Sequence, residues 1–294
     1  KTYLDQGTLA INNETALGNN PASFDASHLT FNGGRLQATA TLTIDDANRG
    51  ITVNEAGAEL GANSGVTLTI ANTIQANGIV VSHNGSGANT INLTGNNNLL
   101  AGFETFDDNS SAVLNITGNN TIGAIRLTNN GVVNLGAVGK VNNLTSDIRV
   151  IFGTLNLAGT NNFNGQLIMS GGRAVLQSAT ALTGNYSLTQ SGSGLFRLNG
   201  FNASITQLSG TGLIDNGGAS DSILTVNQNS NTNYSGVLSD DAINFVNGSP
   251  TLNLVKTGSG NLTLTGSNTY RGSTTISGGT ITVSVLSSAA FNTA

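Results

Sequence analysis

Residues 155–165 read Leu155-Asn156-Leu157-Ala158-Gly159-Thr160-Asn161-Asn162-Phe163-Asn164-Gly165. Residues 262–272 read Leu262-Thr263-Leu264-Thr265-Gly266-Ser267-Asn268-Thr269-Tyr270-Arg271-Gly272. Both follow apolar-x-apolar-x-Gly-x-Asn, then an aromatic residue and, two positions on, a glycine. Both continue at the same spacing to a glycine pair, Gly171-Gly172 and Gly278-Gly279. A partial copy lies between them, where Gly192-Ser193-Gly194-Leu195-Phe196-Arg197-Leu198-Asn199-Gly200-Phe201-Asn202 matches residues 258–268. Weaker forms run from Ile91 through Gly95 to Asn97 and from Leu114 through Gly118 to Asn120. One such unit is too small to bury its apolar side chains, but stacked copies can, and that is how a solenoid is built.

Alternation around these copies says what is stacked. Thr39–Ile44, Val66–Ile70, Thr90–Thr94 and Leu262–Thr265 place Leu or Ile at every second position, with Thr or Asn between. This is the period of a strand with one buried side. Glycines such as Gly65, Gly95, Gly118, Gly260 and Gly266 bound the runs, and their tolerance of positive φ suits tight corners. Asn-Gly hairpin turns are not regularly placed between strand pairs, which argues against an up-and-down barrel. A parallel β-helix meets these conditions: roughly a dozen coils of about 20 residues, rising ~4.8 Å each into a rod of ~60 Å. Equivalent Asn and Thr side chains would then form ladders along the axis. The chain reads as a single continuous β-helix over residues 1–294, without a domain boundary.

Composition excludes most alternatives. The 294 residues include 43 Asn, 37 Thr, 28 Ser and 39 Gly, about half of the chain, while 9% are charged against roughly 25% in ordinary domains. A net charge of -5 and a 37% hydrophobic share rule out disorder by charge repulsion. Glycine has no three-residue period, so the chain is not collagen, and its dominant residues are poor helix formers. There is no cysteine, hence no disulfide or thiolate site. No apolar run reaches the ~18 residues of a transmembrane helix. Three Lys and seven Arg are scattered singly and offer no patch for nucleic acid. The opening Lys1-Thr2-Tyr3-Leu4-Asp5 carries no signal-peptide pattern and reads as an interior or processed start.

From Val255 to Val283 the chain matches K-x-G-x-G-x-L-x-L-x-G-x-N-x-Y-x-G-x-T-x-I-x-x-G-x-L-x-V at nearly every fixed position, with Ile281 in place of Leu. It closely resembles the repeat associated with passenger domains of bacterial autotransporters. Leu208–Asn216 and Asn233–Leu238 resemble the segments that lead into such a repeat, so residues 155–285 carry the best match. Residues 1–154 share the composition and the Leu-x-Leu-x-Gly-x-Asn kernel, and resemble the large surface proteins of rickettsia-like bacteria. The resemblance implies an all-β, right-handed parallel β-helix exported across the bacterial outer membrane. A C-terminal translocator β-barrel is expected outside these residues. It further implies work at the cell surface as a stalk or adhesin, whose partners are host or neighbouring-cell molecules or a second copy. The repeat brings no catalytic residue and no cofactor.

One alternative is a structural filament or matrix subunit, whose exposed strand edges would let copies stack end to end. A polysaccharide-active β-helix, such as a lyase or tailspike-like hydrolase, is the alternative from another class and needs carboxylates from adjacent coils beside an Arg or Lys. Asp45-Asp46, Asp107-Asp108 and Asp240-Asp241 are the candidates, with Asp215 and Asp221 around Gly217-Gly218. Neighbours on a strand face opposite ways, so an Asp-Asp dipeptide is not a matched acid/base pair, and solvated turns are the expectation. Asp215–Asp221 resembles a calcium turn but lacks its third glycine and its repetition, so no metal site is assigned. His28 and His83 stand alone and read as ordinary surface or loop residues. Gly192-Ser193-Gly194 and Gly258-Ser259-Gly260 open strands rather than helices, so they read as turns and not phosphate loops. Thr41/Thr43, Thr67/Thr69, Thr263/Thr265 and Thr280/Thr282 are too interrupted for a flat ice-binding lattice. Asn13 and Asn261 head sequons of the kind this composition produces by chance.

Overall fold

The computed structural model describes residues 1–84, 87–106, 111–241 and 250–284. Among them lie 33 strands and one short 3-10 helix, and the strands pair in parallel. They stack as a β-solenoid of about eleven turns. Each turn offers three faces. The first begins Thr2–Leu4, Asp25–Phe31, Arg49–Val53, Ile74–Ala76. The second begins Thr8–Ile11, Arg35–Ala38, Ala58–Ala62, Val80–Asn84. The third is a ten-stranded sheet from Leu42–Ile44 to Val237–Ser239. Two long strands, Asn98–Phe106 and Asn120–Leu127, bend from the first face onto the second, with a register shift between Leu99 and Gly102. Further along, the first face continues as Ala203–Ile205, Ser222–Asn227, Leu252–Thr257 and Thr274–Ile276.

The alternation read from the sequence is the alternation of burial. Thr67–Ile70, Thr90–Leu93, Val113–Ile116, Val132–Leu135 and Thr154–Leu157 all run half-buried, buried, half-buried, buried. Ile91, Leu114, Val133 and Leu155 are partners in successive turns and make one buried column. Each such aliphatic side chain contributes about 1.5–3 kcal/mol of burial free energy. Turns along this sheet take between 18 residues, Phe196 to Ile214, and 26, Leu42 to Leu68. In the first turn the 3-10 helix Glu14–Leu17 occupies the third-face place against Leu42–Ile44. Its Ala16 N–H donates to Asn13 Oδ1 (3.2 Å) and Leu17 is buried.

Two expectations change. Thr39–Ile44 is not one strand: Arg35–Ala38 ends, the chain turns at Thr39–Thr41, and Leu42–Ile44 starts the next face. A two-residue period carries on unbroken across a corner, so alternation alone does not see the bend. Positive φ accounts for Gly65 (+74°), but Gly95, Gly118, Gly260 and Gly266 do not have it. Glycine is required at those four by close approach. A Cβ on Gly118 would fall on the Gly95 carbonyl one turn below, and one on Gly266 would fall on that of Gly236. The two best sequence copies also occupy different faces. Leu155 and Leu157 lie in the third-face strand Thr154–Leu157, whereas Leu262 and Leu264 lie in the second-face strand Asn261–Leu264. The kernel encodes strand, corner, strand, and any corner of the solenoid accepts it.

Candidate functional site

Polar side chains organise the surface and part of the core. On the outer side of the third face, Asn92 donates to Thr69 Oγ1 (3.1 Å), Asn115 to Asn92 Oδ1 (2.7 Å), Asn134 to Asn115 (2.7 Å) and Asn156 to Asn134 (2.8 Å). A second amide ladder runs inside, formed by the kernel asparagines Asn97, Asn120 and Asn161 together with Asn142. Asn97 donates to Asn120 Oδ1 (3.0 Å), Asn120 to Asn142 (2.8 Å) and Asn142 to Asn161 (2.7 Å), and all four are at most 3% exposed. Asn97 and Asn120 also turn back to the carbonyls of Gly95 and Gly118 (2.9 and 2.8 Å), closing the corner. Asn268 does the same to Gly266 (3.2 Å) while its Oδ1 accepts the Leu238 N–H (2.9 Å). The third kernel residue in Gly-x-Asn is therefore a buried corner clamp rather than outer cladding.

The candidate carboxylates among the described residues lie near the two ends of the stack. Near the start, Arg49 is fully buried and donates to Glu14 (3.2 Å), Asp46 (2.5 Å) and the carbonyls of Leu17 and Gly18. Asp45 is exposed, and its backbone N–H donates to Glu14 (3.1 Å). Far along the stack, Arg197 holds Asp215 with two bonds (3.0 and 2.6 Å) and reaches Asp241 (3.2 Å). Those bonds from Asp215, outweighing burial, raise the Arg197 pKa. Asp240 turns the other way, accepting from Arg271 Nε (2.7 Å) and the Leu252 N–H (2.8 Å). The neighbouring Asp240 and Asp241 thus diverge, as expected, but Asp215 and Asp240 are buried and not solvated turn residues. Asp107 and Asp108 lie outside the described residues.

Asp221 accepts from the Thr251 N–H (2.6 Å) and hydroxyl (3.2 Å), apart from the ion pairs of Asp215. Among the described residues no three His, Asp or Glu side chains gather to hold a metal. The Arg197–Asp215 pair carries no mark in the sequence: Phe196-Arg197 and Ile214-Asp215 become register partners only through the 18-residue turn between them, and Asn216 stands where a kernel has its second apolar residue.

His28 departs from its surface assignment. It sits in Asp25–Phe31, 8% exposed, with Nδ1 3.7 Å from Asp25. Burial, then the Arg49 charge, lowers its pKa below the ordinary 6.5. His83 belongs to the strand Val80–Asn84, not to a loop. The two Gly-Ser-Gly segments are corners, with Gly192 and Gly258 at φ +58° and +72°. Lys256, at the head of the 255–283 match, is fully buried and its ammonium donates to the carbonyls of Thr257 and Gly258 (3.1 Å for the latter) and, more weakly, of Gln228 and Gly278. It bolts three turns together, and burial lowers its pKa.

The surface of the described residues carries hollows of different widths. Small hollows of about 140 and 230 Å³ follow the seam between first and second faces, sharing Ile79 and Glu104. There Glu104 and Arg126 face each other at 3.9 Å. A wider hollow of about 560 Å³ crosses the seam between second and third faces, lined by Asn130, Phe152, Thr154, Arg173 and Ser193 over a glycine floor.

A parallel solenoid clad in neutral polar ladders, its buried acids tied to arginines, is built as an extended surface. Residues 254–283 match the family model described as the passenger-associated-transport-repeat. Over 248 residues, 76% of its length, the chain is 31% identical to the adhesin BmaC autotransporter of Brucella suis biovar 1 (strain 1330). It spans 6% of that relative's length. No solved structure matches it. The chain is thus similar to the passenger domains of bacterial autotransporters, a family exported across the outer membrane to the cell surface. No helix among the described residues is long and apolar enough to cross a membrane.

Proposed function

We propose that this stretch of passenger is a non-enzymatic adhesive stalk, one continuous solenoid that holds contact surfaces away from the cell. The observation that carries this reading is the unbroken parallel stack from Thr2–Leu4 to Thr280–Val283 with amide ladders on its outer side. Its partners are host or neighbouring-cell surface molecules, with self-association between copies as a second mode. The name of the Brucella relative, an adhesin, supports the same reading. Beads coated with the 294-residue chain should adhere to cultured host cells well above albumin-coated beads, and electron micrographs should show elongated particles. Adhesion no better than albumin overturns the adhesive part, and compact particles of low axial ratio overturn the stalk.

One observation favours a polysaccharide-active β-helix as a second reading: Asp215 and Asp241, from adjacent turns, meet at Arg197. Their engagement in ion pairs leaves the first reading ahead. Release of reducing ends from a polysaccharide panel, lost in Asp241→Asn, would reverse that order.

A further inference from the structure

The wide hollow between the second and third faces holds polar groups that the fold leaves unused. Across most of the molecule such groups are spent on ladders, corners and ion pairs. Here the side chains of Asn130, Thr154, Arg173 and Ser193 make no hydrogen bond or ion pair among the described residues. Arg173 is notable for its charge. Every other arginine of the chain has an acidic partner or a further polar contact, from Arg49 and Arg197 in buried pairs to Arg126 and Arg149 near Glu104 and Asp147. No carboxylate lines the hollow. Beside Arg173 stands Phe152, 51% exposed, an aromatic ring held in water.

The floor explains the shape. Val132, Thr154, Arg173, Leu195, Leu213 and Val237 are register partners in six successive turns, and each is preceded by a glycine. A Cβ at Gly131 or Gly212 would crowd the carbonyl of Ala112 (2.9 Å) or Gly194 (2.8 Å) in the turn below. Side chains are absent from that line, leaving a shallow trough along the stacking axis. Its lining spans five turns, from Asn130 to Leu213, or roughly 20 Å at ~4.8 Å per turn.

We propose that this trough is a binding subsite for a non-sulfated, uronate-bearing oligosaccharide lying along the solenoid axis. The Phe152 ring offers its face to the C–H side of a pyranose, as aromatic side chains do where one surface is apolar and the surroundings wet. Arg173 takes a uronate carboxylate, the planar partner its fork matches in two parallel bonds. Asn130, Thr154 and Ser193 meet sugar hydroxyls. A glycine-floored, flat trough suits a ribbon of sugar rings better than a peptide, whose side chains need pockets. A single guanidinium favours sparse carboxylates over dense sulfates. The proposal rests on the adhesive reading and names the chemistry of one partner.

Titration of the full 294-residue chain with a hyaluronan-derived hexasaccharide tests it. Binding is expected, weakened about tenfold or more by Arg173→Gln, the loss of a charge-assisted pair. Phe152→Ala should weaken it several-fold, and Arg149→Gln, in the hollow at the seam of the first and second faces, should leave it unchanged. Both trough residues are outward-facing, and unchanged melting of the variants establishes that the fold is intact. If either variant melts early, Arg173→Lys and Phe152→Tyr replace them, the first expected to weaken binding and the second to retain it. Absence of hexasaccharide binding, or equal binding by the Arg173 and Phe152 variants, overturns the subsite. Equal affinity for neutral cellohexaose overturns the role of the carboxylate, and an equally Arg173-dependent affinity for polyglutamate overturns the carbohydrate assignment. The bead assay separates the two readings. Beads that adhere equally with and without Arg173→Gln, with no saccharide bound, sink the subsite and leave adhesion standing. Saccharide binding by a chain whose beads do not adhere does the reverse.

Discussion

At the residue scale, the decisive side chain is asparagine, used in two different environments. Asn142 is wholly buried, and its amide is both donor to Asn161 and acceptor from Asn120. Asn156 ends the outer ladder, donating to Asn134 within reach of water. Replacing Asn142 by Leu strands two buried amide neighbours, so a loss of about 2–3 kcal/mol is expected in urea unfolding. Asn156→Ala should cost about 0.5–1 kcal/mol, since water can take over its bonds. Gly118→Ala should exceed both, at about 3 kcal/mol or more, because the obstructing atom is the backbone carbonyl of Gly95. Equal losses for Asn142 and Asn156 would deny the inner ladder its energetic role. His28 supplies a pH dependence. Its folded pKa lies below its unfolded value near 6.5, so on acidification the unfolded chain takes up the proton first. Stability should therefore fall as pH drops from 7 toward 5, and His28→Gln should flatten that slope in melts across the window.

At the element scale, strands are interchangeable and ion pairs are not. Asp215 is wholly buried against Arg197, whose other acidic contact is Asp241 at 3.2 Å. Asp215→Ala leaves a largely buried guanidinium short of its main partner and should cost about 3 kcal/mol. The Asp215→Ala, Arg197→Ala double variant should cost less than the sum of the single ones, a coupling that denaturation of all four proteins would measure. Strict additivity would mean that the two charges act independently. The kernel announces a strand and its corner in every copy, and those elements form where it stands. It does not announce that Arg197 and Asp215 meet. That meeting depends on an 18-residue turn placing the two residues opposite one another.

At the scale of the whole molecule, each turn rests only on its neighbours, as in other solenoids. Asn97 and Asn120 occupy the same corner one turn apart and are linked directly. Deleting residues 98–120 joins Asn97 to Thr121 and removes one turn without shifting any other register. That protein should fold with a β-type circular dichroism spectrum and a somewhat lower melting temperature. Deleting only 98–108 puts every later residue on the wrong face and should abolish folding. Collapse of both would deny that the turns are modular. The trough over Phe152 and Arg173 is also a property at this scale, because its lining comes from five turns and no local pattern marks it.

The sequence by itself determined that short strands stack in parallel around a narrow aliphatic core, with glycine and asparagine at the corners. Those features are written in two-residue alternation and in composition, both local. Only the tertiary structure decided which face each kernel occupies, so that Leu155 and Leu262 lie on different sides of the rod. It also decided that Asn97, Asn120, Asn142 and Asn161 turn inward, that His28 is buried, and that Arg173 has no polar partner among the described residues. The physical reason is the spacing of contacts. Each side chain meets residues one turn away, and turns vary from 18 to 26 residues along a single sheet. Partnership across the stack is set by the length of every corner between two strands, which local pattern does not record.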